Sequence, residues 1–419
     1  MTLQLTEKDQ QMLTGEMGRA TQIAMRILTT MAEVYGAETL LDISSAHIDG
    51  VLYHGLSGLE FVQKLVDAGG EVVVPTTLNV GALDLMHPGL FQGTAQVAEW
   101  ARQTMMGYEQ LGCQPIYTCT PYQTMARPKF GEQIAWAESN AIVFANSVLG
   151  ARTQRYGDFI DICCALTGRA PAAGLHLSEN RRGELLFKLD NIPDNLLRED
   201  VLFPVLGYLI GAQSGQQIPV IDGLLPDTTE DQLKALGAAT ASSGAVGLFH
   251  AIGITPEAKT FDEAFHSNQP QNTITVTMEI LQETRDSLAT AADGDIDAVA
   301  LGSPHFSISE FEQLLPLVEA YPPHPDIEFI VCTNRIVYAA LQQRGWLEQL
   351  KSCGITIIVD TCVVVTPIMR VKQGILMTNS GKFAHYAPGN IGLSTVYGSL
   401  KECVRSAEIG RVWRDSDLW

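Results

Sequence analysis

The sequence predicts an α/β protein, and three observations lead to this fold class. Short apolar runs of strand length alternate with helix-length segments along most of the 419 residues. Most of the runs are continuously apolar, which is typical of parallel strands covered on both faces. Polar and small residues follow the runs, at positions where strand ends of α/β proteins open into a ligand crevice. We therefore expect βα repetition with right-handed crossovers.

Composition bounds the size and the partners of this fold. A hydrophobic content of 46% and a charged content of 18% predict a compact core, and the length allows two or three domains. The formal net charge of −20 disfavours nucleic acid and anionic membranes as partners. No apolar run reaches the roughly 20 residues of a membrane helix, and no signal peptide is evident. We expect a cytoplasmic protein with eight reduced cysteines.

The first predicted element is a long amphipathic helix over residues 6–34. Apolar residues recur at helical spacing from Leu13 to Met31, and Thr6 with Asp9 suits its N-terminal cap. Further helices are expected at 96–111, 309–319 and 334–350. The predicted strands are 40–43, 71–75, 115–119, 141–145, 218–221, 246–249, 298–301, 328–332, 355–360 and 374–377.

Changes of pattern divide the chain into three predicted domains. The pattern changes at 167–171, a polar stretch follows at 176–183, and small residues cluster at 237–244. We predict a first α/β domain at 1–170, a connecting α/β region at 171–240 and a second α/β domain at 241–419.

Two predicted strands end in a cysteine beside threonine. Residues 116–122 read IYTCTPY and residues 357–362 read IIVDTC. Cys119 and Cys362 would thus arrive at strand ends from distant parts of the chain, which indicates one soft-metal or iron–sulfur site. The alternative is that both thiols are small buried hydrophobes.

A third motif follows the predicted strand 141–145 and carries two arginines. Asn146 and Ser147 precede Arg152 and Arg155, and arginine binds carboxylate or phosphate through two parallel hydrogen bonds. The motif therefore suits an anion clamp, and the alternative is a pair of surface arginines.

Other strand ends add ligand-capable side chains. His305, in a Gly-Ser-Pro-His motif, suits acid–base chemistry or a structural hydrogen bond. Lys382 lies in a glycine-bounded loop, where function concentrates. Residues 45–55 add His47, Asp49 and His54, which either line a cleft or cap a turn.

Five motifs in order resemble the large, catalytic subunit of the aconitase X family. They span nearly the whole chain: VPTTLN at 74–79, IYTCTPY at 116–122, FANSVLGART at 144–153, GSPH at 302–305 and VDTC at 359–362. The resemblance implies several aconitase-like α/β domains, with parallel or mixed sheets, around a central cleft with an iron–sulfur cluster, and a dehydratase activity.

Two reactions follow from this resemblance. The expected one converts cis-3-hydroxy-L-proline to 1-pyrroline-2-carboxylate and water, and the alternative is dehydration of mevalonate 5-phosphate. The family also has a small swivelling domain that supplies a serine base, which we expect here as a separate small subunit. The remaining alternatives are a non-catalytic iron–sulfur or scaffold subunit and a metal-free enzyme with structural cysteines.

The resemblance also assigns residues. Cys119 and Cys362 are the expected cluster ligands, and the third is Ser303, where the family often has cysteine, or Cys332. The cluster type, from two to four irons, stays open. The expected catalytic residues are His305, Arg152 and Lys382. The expected contacts to a small carboxylate substrate are Thr77, Asn79, Asn146, Ser147, Arg152, Arg155, Asn379 and Ser380.

Overall fold

A computed structural model describes residues 3–291 and 293–419. The chain forms two compact units: the first comprises residues up to Leu83 and Thr94–Arg182, and the second comprises Asp84–Gly93 and Gly183–Trp419. The predicted division at 1–170, 171–240 and 241–419 stays a prediction. In the described ranges, no helix is both long and apolar enough to cross a membrane.

The first unit combines helices with short strands. Its helices are α1 Glu7–Thr14, α2 Arg19–Val34, α3 Leu56–Asp67, α4 Ala95–Gln110, α5 Ser139–Ser147 and α6 Ile160–Thr167. Its strands are β1 Leu40–Asp42, β2 Ala46–Ile48, β3 Thr76–Leu78, β4 Ala135–Trp136 and β5 Arg169–Pro171. A parallel sheet has the order β3-β2-β4, and β1 pairs with β5 antiparallel.

The long helix predicted at 6–34 is two helices. Thr6 and Asp9 form the expected capping box at the start of α1. Gly15 then ends α1 with φ of 94°, and Gly18 precedes α2 with φ of 102°. Since these are backbone conformations that favour glycine, the apolar periodicity continues across a break that the two glycines impose.

Three strands predicted in the first unit are wrong. Residues 141–145 lie inside α5, which is buried on all sides, and a short apolar run does not distinguish a buried strand from a buried helix. Residues 115–119 run beside β3, where the Thr118 amide donates to the Leu78 carbonyl at 3.1 Å, but Tyr117 has φ of 39° and interrupts the pairing. The third predicted strand, 71–75, ends just before β3.

The second unit follows the predicted βα repetition, but the strand predicted at 246–249 is wrong, since the only strand residues near it are the two that follow it, 250–251. Its strands are β6 Leu185–Leu189, β7 Pro219–Asp222, β8 His250–Ala251, β9 Asn272–Val276, β10 Ala298–Leu301, β11 Glu328–Cys332, β12 Ile355–Ile358, β13 Ile375–Thr378 and β14 Ser394–Tyr397. Its helices are α7 Leu202–Ser214, α8 Glu230–Ser243, α9 Phe261–Ala264, α10 Met278–Ser287, α11 Ile308–Ala320, α12 Arg335–Gln343, α13 Trp346–Ser352, α14 Gly381–Asn390 and α15 Leu400–Ile409. The predicted helix 334–350 breaks at Gly345, where φ is 73°.

Two parallel sheets organise this unit, in the orders β12-β11-β10-β13-β14 and β8-β7-β6-β9. Along the five-stranded sheet, alternate residues enter two different apolar clusters. Val299, Phe329 and Ile357 belong to one cluster, and Ala300, Ile330 and Ile358 to the other. Both faces are therefore covered, which explains the continuously apolar strands. The predicted α/β fold class is confirmed.

Candidate functional site

In the second unit, the carboxyl ends of three neighbouring strands lie side by side. β10 pairs in parallel with β11, and β11 with β12; Leu301 lies opposite Val331 and Cys332 opposite Ile358. Ser303 follows β10, Cys332 ends β11 and Cys362 follows β12. We call these three residues the thiol edge. All three are buried.

Gly302 allows the strand ends to approach this closely. Its φ is 87°, and a Cβ atom there would lie 2.1 Å from the Cys332 carbonyl oxygen. Only glycine fits such backbone contact without displacement, and this contact places the next residue, Ser303, beside Cys332.

Hydrogen bonds at the thiol edge favour the ionised form of Cys362. The side chain of Cys332 contributes most, and the Val364 amide and Ser303 also hydrogen-bond to the sulfur. The charge of Lys382 acts in the same direction. Together they hold the pKa of the Cys362 thiol below its usual range, against the effect of burial. The thiolate is the form that binds metals.

The donor set of the thiol edge fits a soft-metal or iron–sulfur group in part. Cys362 lies within hydrogen-bonding reach of both residues predicted as the third ligand, Ser303 and Cys332. Over residues 3–291 and 293–419, no group of three or more His, Cys, Asp or Glu side chains could hold a metal ion. This edge therefore offers two thiols and one hydroxyl.

Other predicted residues of the second unit surround this edge. The Ser380 hydroxyl donates to the Ser303 carbonyl oxygen and accepts from the Phe383 amide at 3.0 Å, which caps α14. Asn379 lines a cavity together with Ser303 and Ser380. His305 is fully buried, and its Nε2 lies 3.1 Å from the Thr361 carbonyl oxygen. The structure thus gathers the predicted residues of this unit into one region.

In the first unit, a different pair of residues occupies the strand ends. Asp49 follows β2 and Asn79 follows β3, and we call this pair the carboxyl edge. The Asn79 backbone N–H extends the hydrogen bonding between β3 and β2 by donating to the Ile48 carbonyl at 2.9 Å. The Asn79 side-chain Nδ2 donates to Asp49 Oδ1. Asn79 is 3% exposed, and its Oδ1 has no hydrogen-bond partner among the described residues.

Several carboxyl groups surround Asp49. Burial, and then the charges of Glu138, Asp158 and Asp161, raise the pKa of Asp49 to about 8. Asp161 accepts the Asp49 backbone amide at 2.7 Å, and burial raises the pKa of Asp161 to about 7. The sequence suggested only a cleft lining or a turn cap for Asp49; its neighbours lie some 90 to 110 residues along the chain.

Two further predicted residues of the first unit lie beside the carboxyl edge strands. The Thr77 hydroxyl lies 2.8 Å from His47 Nδ1, and burial lowers the pKa of His47 to about 4. Cys119 is buried after the segment that runs beside β3, and its carbonyl accepts from Asn140 Nδ2 at 2.9 Å.

The predicted asparagine and serine of the arginine motif lie in the last turn of α5, not after a strand. Asn146 accepts from the Thr153 amide at 3.0 Å and donates to the Thr153 carbonyl at 3.0 Å. Arg181, a buried cation that the sequence did not single out, donates to Asn146 Oδ1 at 3.1 Å. The Asn146 side chain therefore holds the loop to Thr153, and Ser147 is buried beside it.

The two predicted arginines lie at different positions in the segment that runs beside β4. Arg152 pairs with Gln133, before the start of β4, and its Nη1 lies 3.5 Å from the His176 carbonyl. Its buried Nε has no hydrogen-bond partner among the described residues. The Thr153 hydroxyl accepts from the Trp136 amide at 3.0 Å, so the chain then runs toward the carboxyl end of β4. Arg152 precedes this contact in the chain, and Arg155 follows it by two residues.

Family profiles match almost the whole chain. The Aconitase X first domain matches residues 2–179, the second domain residues 183–286 and the third domain residues 296–409.

Curated relatives and a solved structure agree with this match. The chain is 44% identical to a cis-3-hydroxy-L-proline dehydratase of Pseudomonas aeruginosa, over 96% of this chain and 70% of that protein. It is 36% identical to a phosphomevalonate dehydratase large subunit of Methanothermobacter thermautotrophicus, over 96% of this chain and 98% of that protein. A crystal structure of Thermococcus kodakaraensis aconitase X, in the holo-form, aligns with a TM-score of 0.87 and 34% identity, over 97% of this chain and 100% of that one.

Proposed function

The chain belongs to the aconitase X family, and we propose that it is the large, catalytic chain of a cis-3-hydroxy-L-proline dehydratase. The matched relatives are dehydratases, so the enzyme class is hydro-lyase. One observation supports the choice of substrate: the sequence identity of this chain is higher to the hydroxyproline dehydratase than to the phosphomevalonate dehydratase large subunit. The products would be 1-pyrroline-2-carboxylate and water.

The proposed reaction breaks the C2–H and C3–O bonds of the substrate. The first product is a cyclic enamine, which gains a proton at C3 and loses the one on nitrogen to give the imine. An iron–sulfur cluster, when bound, would supply a Lewis acid that helps the hydroxyl leave. Cys362, with Cys332 or Ser303, would hold the cluster, since these side chains lie together and Cys362 favours the thiolate. Cys119 stays a proposed ligand from its motif.

We assign the remaining residues by their surroundings. Lys382 supports the thiolate of Cys362 through its charge. The hydrogen bond of His305 to the Thr361 carbonyl fixes the backbone next to Cys362, and its part in proton transfer stays a proposal. Of the two arginines, Arg155 is the stronger proposed ligand of the substrate carboxylate, because its segment runs toward the carboxyl end of β4.

A small swivelling-domain subunit is the proposed partner. The archaeal relatives are named large subunits, and the Pseudomonas aeruginosa protein has further length that this chain does not match. The small subunit would supply the base that removes the C2 proton. The cytoplasmic location stays a prediction from the sequence.

The test is an anaerobic preparation of this chain with its small subunit. We expect turnover of cis-3-hydroxy-L-proline, iron in the protein and an absorption band in the visible range. Cys119→Ser and Cys362→Ser should lose iron and activity, whereas Cys353→Ser, a half-buried thiol at the end of α13, should keep both. Full activity without iron would overturn the proposed cofactor, and no turnover of hydroxyproline would overturn the substrate.

Mevalonate 5-phosphate is the second candidate substrate. The specific observation in its favour is that this chain matches archaeal phosphomevalonate dehydratase large subunits over nearly their whole length. The same preparation assayed with this substrate separates the two.

A further inference from the structure

The carboxyl edge of the first unit has an unused acceptor beside an acidic group. Asn79 gives one side-chain N–H to Asp49 and leaves its buried Oδ1 without a donor. A buried carbonyl oxygen without a partner costs free energy, so an N–H donor from outside the chain would stabilise this arrangement. Asp49 itself is partly exposed and therefore reachable.

The charged groups around this acceptor determine whether a cationic or an anionic ligand is favoured. The charged groups that act most strongly on Asp49 are Glu138, Asp158 and Asp161, all of them acidic. A cation bound there gains Coulomb energy from several carboxylates, whereas an anion is repelled. The protein offers an N–H acceptor and a negative field in the same place.

We propose that Asp49 and Asn79 bind the protonated ring amine of the substrate and thereby select an amino acid over a phosphorylated hydroxy acid. A secondary ammonium has two N–H donors, one for Asp49 and one for Asn79 Oδ1. Burial and acidic neighbours favour the protonated form of Asp49 in the empty site, and the adjacent cation favours its carboxylate, so the bound ammonium and Asp49 form an ion pair. Mevalonate 5-phosphate has no cation and carries a phosphate that the same carboxylates repel. This inference rests on the proposed function and names the group that distinguishes its two candidate substrates.

The experiment compares two probes that cannot react because they lack the 3-hydroxyl. L-Proline has the ring ammonium, and tetrahydrofuran-2-carboxylate of the same configuration has an ether oxygen in its place. Binding is measured by titration calorimetry on the complete enzyme with its small subunit. We expect the wild type to bind L-proline about 100-fold more tightly than the ether.

Two variants of the carboxyl edge test each member of the pair. Asp49→Asn keeps the shape and the acceptor for Asn79 but removes the charge, and should weaken L-proline binding by about 30- to 100-fold with the ether unchanged. Asn79→Ala should weaken L-proline by about 10-fold. Asp67→Asn, an exposed carboxylate at the end of α3, is the matched control and should bind as the wild type does.

Each outcome decides the proposal. If Asp49→Asn binds L-proline like the wild type, or loses both probes equally while its thermal unfolding is unchanged, the proposed amine contact is wrong. If Asp49→Asn unfolds, Asn79→Ala decides instead, and a variant that loses affinity equally for L-proline and for the ether overturns the proposal.

The proposed function is judged separately. If the proposed contact fails but the wild type converts hydroxyproline, the proposed function stands, whereas absence of that turnover means that the function itself is wrong.

Discussion

The thiol edge and the carboxyl edge occupy equivalent places in two parallel sheets, yet their chemistry is opposite. At the thiol edge, hydrogen-bond donors and Lys382 hold the pKa of Cys362 down. At the carboxyl edge, burial and neighbouring carboxylates hold the pKa of Asp49 up. The comparison teaches that the strand end provides the position, while the side chains arriving from elsewhere decide which charge is stable there.

The largest expected effect tests the thiol edge as a ligand set. Cys362→Ser should lower activity by at least about 1,000-fold and remove most of the iron, because it deletes the thiolate. Cys403→Ser is a stringent control, since that thiol is likewise buried on α15 but its burial raises its pKa, which disfavours the thiolate. Metal analysis and steady-state rates measure both, and iron retained at wild-type level in Cys362→Ser contradicts the assignment.

The next effect tests the close approach that builds the thiol edge. Gly302→Ala should cost about 3 kcal/mol or more in the free energy of unfolding, because a Cβ atom meets the Cys332 carbonyl and φ is positive. Gly253→Ala has a similar φ of 78° but open space around it, and should cost only about 1 kcal/mol. Urea denaturation compares the two variants, and equal costs would show that the contact relaxes freely.

A smaller effect separates the two arginines beside β4. Arg155→Met should raise KM for the substrate by about 10- to 100-fold through loss of a carboxylate contact. Arg152→Met should change KM by less than about 5-fold, because Arg152 pairs before the start of β4. Steady-state kinetics measures both KM values, and a larger effect of Arg152→Met would assign the carboxylate contact to Arg152 instead.

The smallest expected effect is the pH dependence of protein stability that the carboxyl edge contributes. The pKa of Asp161 is about 7 in the folded protein against an ordinary value of 3.8, so the folded state binds more protons between these values. Its contribution to stability is full below pH 3.8 and is lost as the pH rises through about 7, with a slope of at most about 1.4 kcal/mol per pH unit.

Asp161→Asn should flatten this dependence between pH 5 and pH 7, a range set by the raised pKa of the group. Asp67→Asn, whose carboxylate is exposed, should leave it as in the wild type. Denaturant midpoints measured across the range check this. An unchanged slope in Asp161→Asn would mean that other groups carry the dependence.

The sequence by itself determined strands β10 to β13 of the second unit and most of the thiol edge. There each motif directly follows an apolar strand of four or five residues, and the carboxyl ends of parallel strands meet at one edge of a sheet. Local pattern thus placed Cys332 and Cys362 at strand ends, and the resemblance to aconitase X added Ser303 or Cys332 as the third ligand beside Cys362. The five aconitase X motifs likewise predicted the family.

Only the tertiary structure decided most of the strands of the first unit. Its strands have two or three residues, too few for a pattern, and the apolar run 141–145 packs as a helix because burial on all sides suits either element. That one change moves Asn146 and Arg152 away from a strand end. The carboxyl edge depends on Glu138 and Asp161 converging on Asp49, and no local pattern encodes such convergence, because a pKa is set by neighbours in space and not by neighbours in sequence.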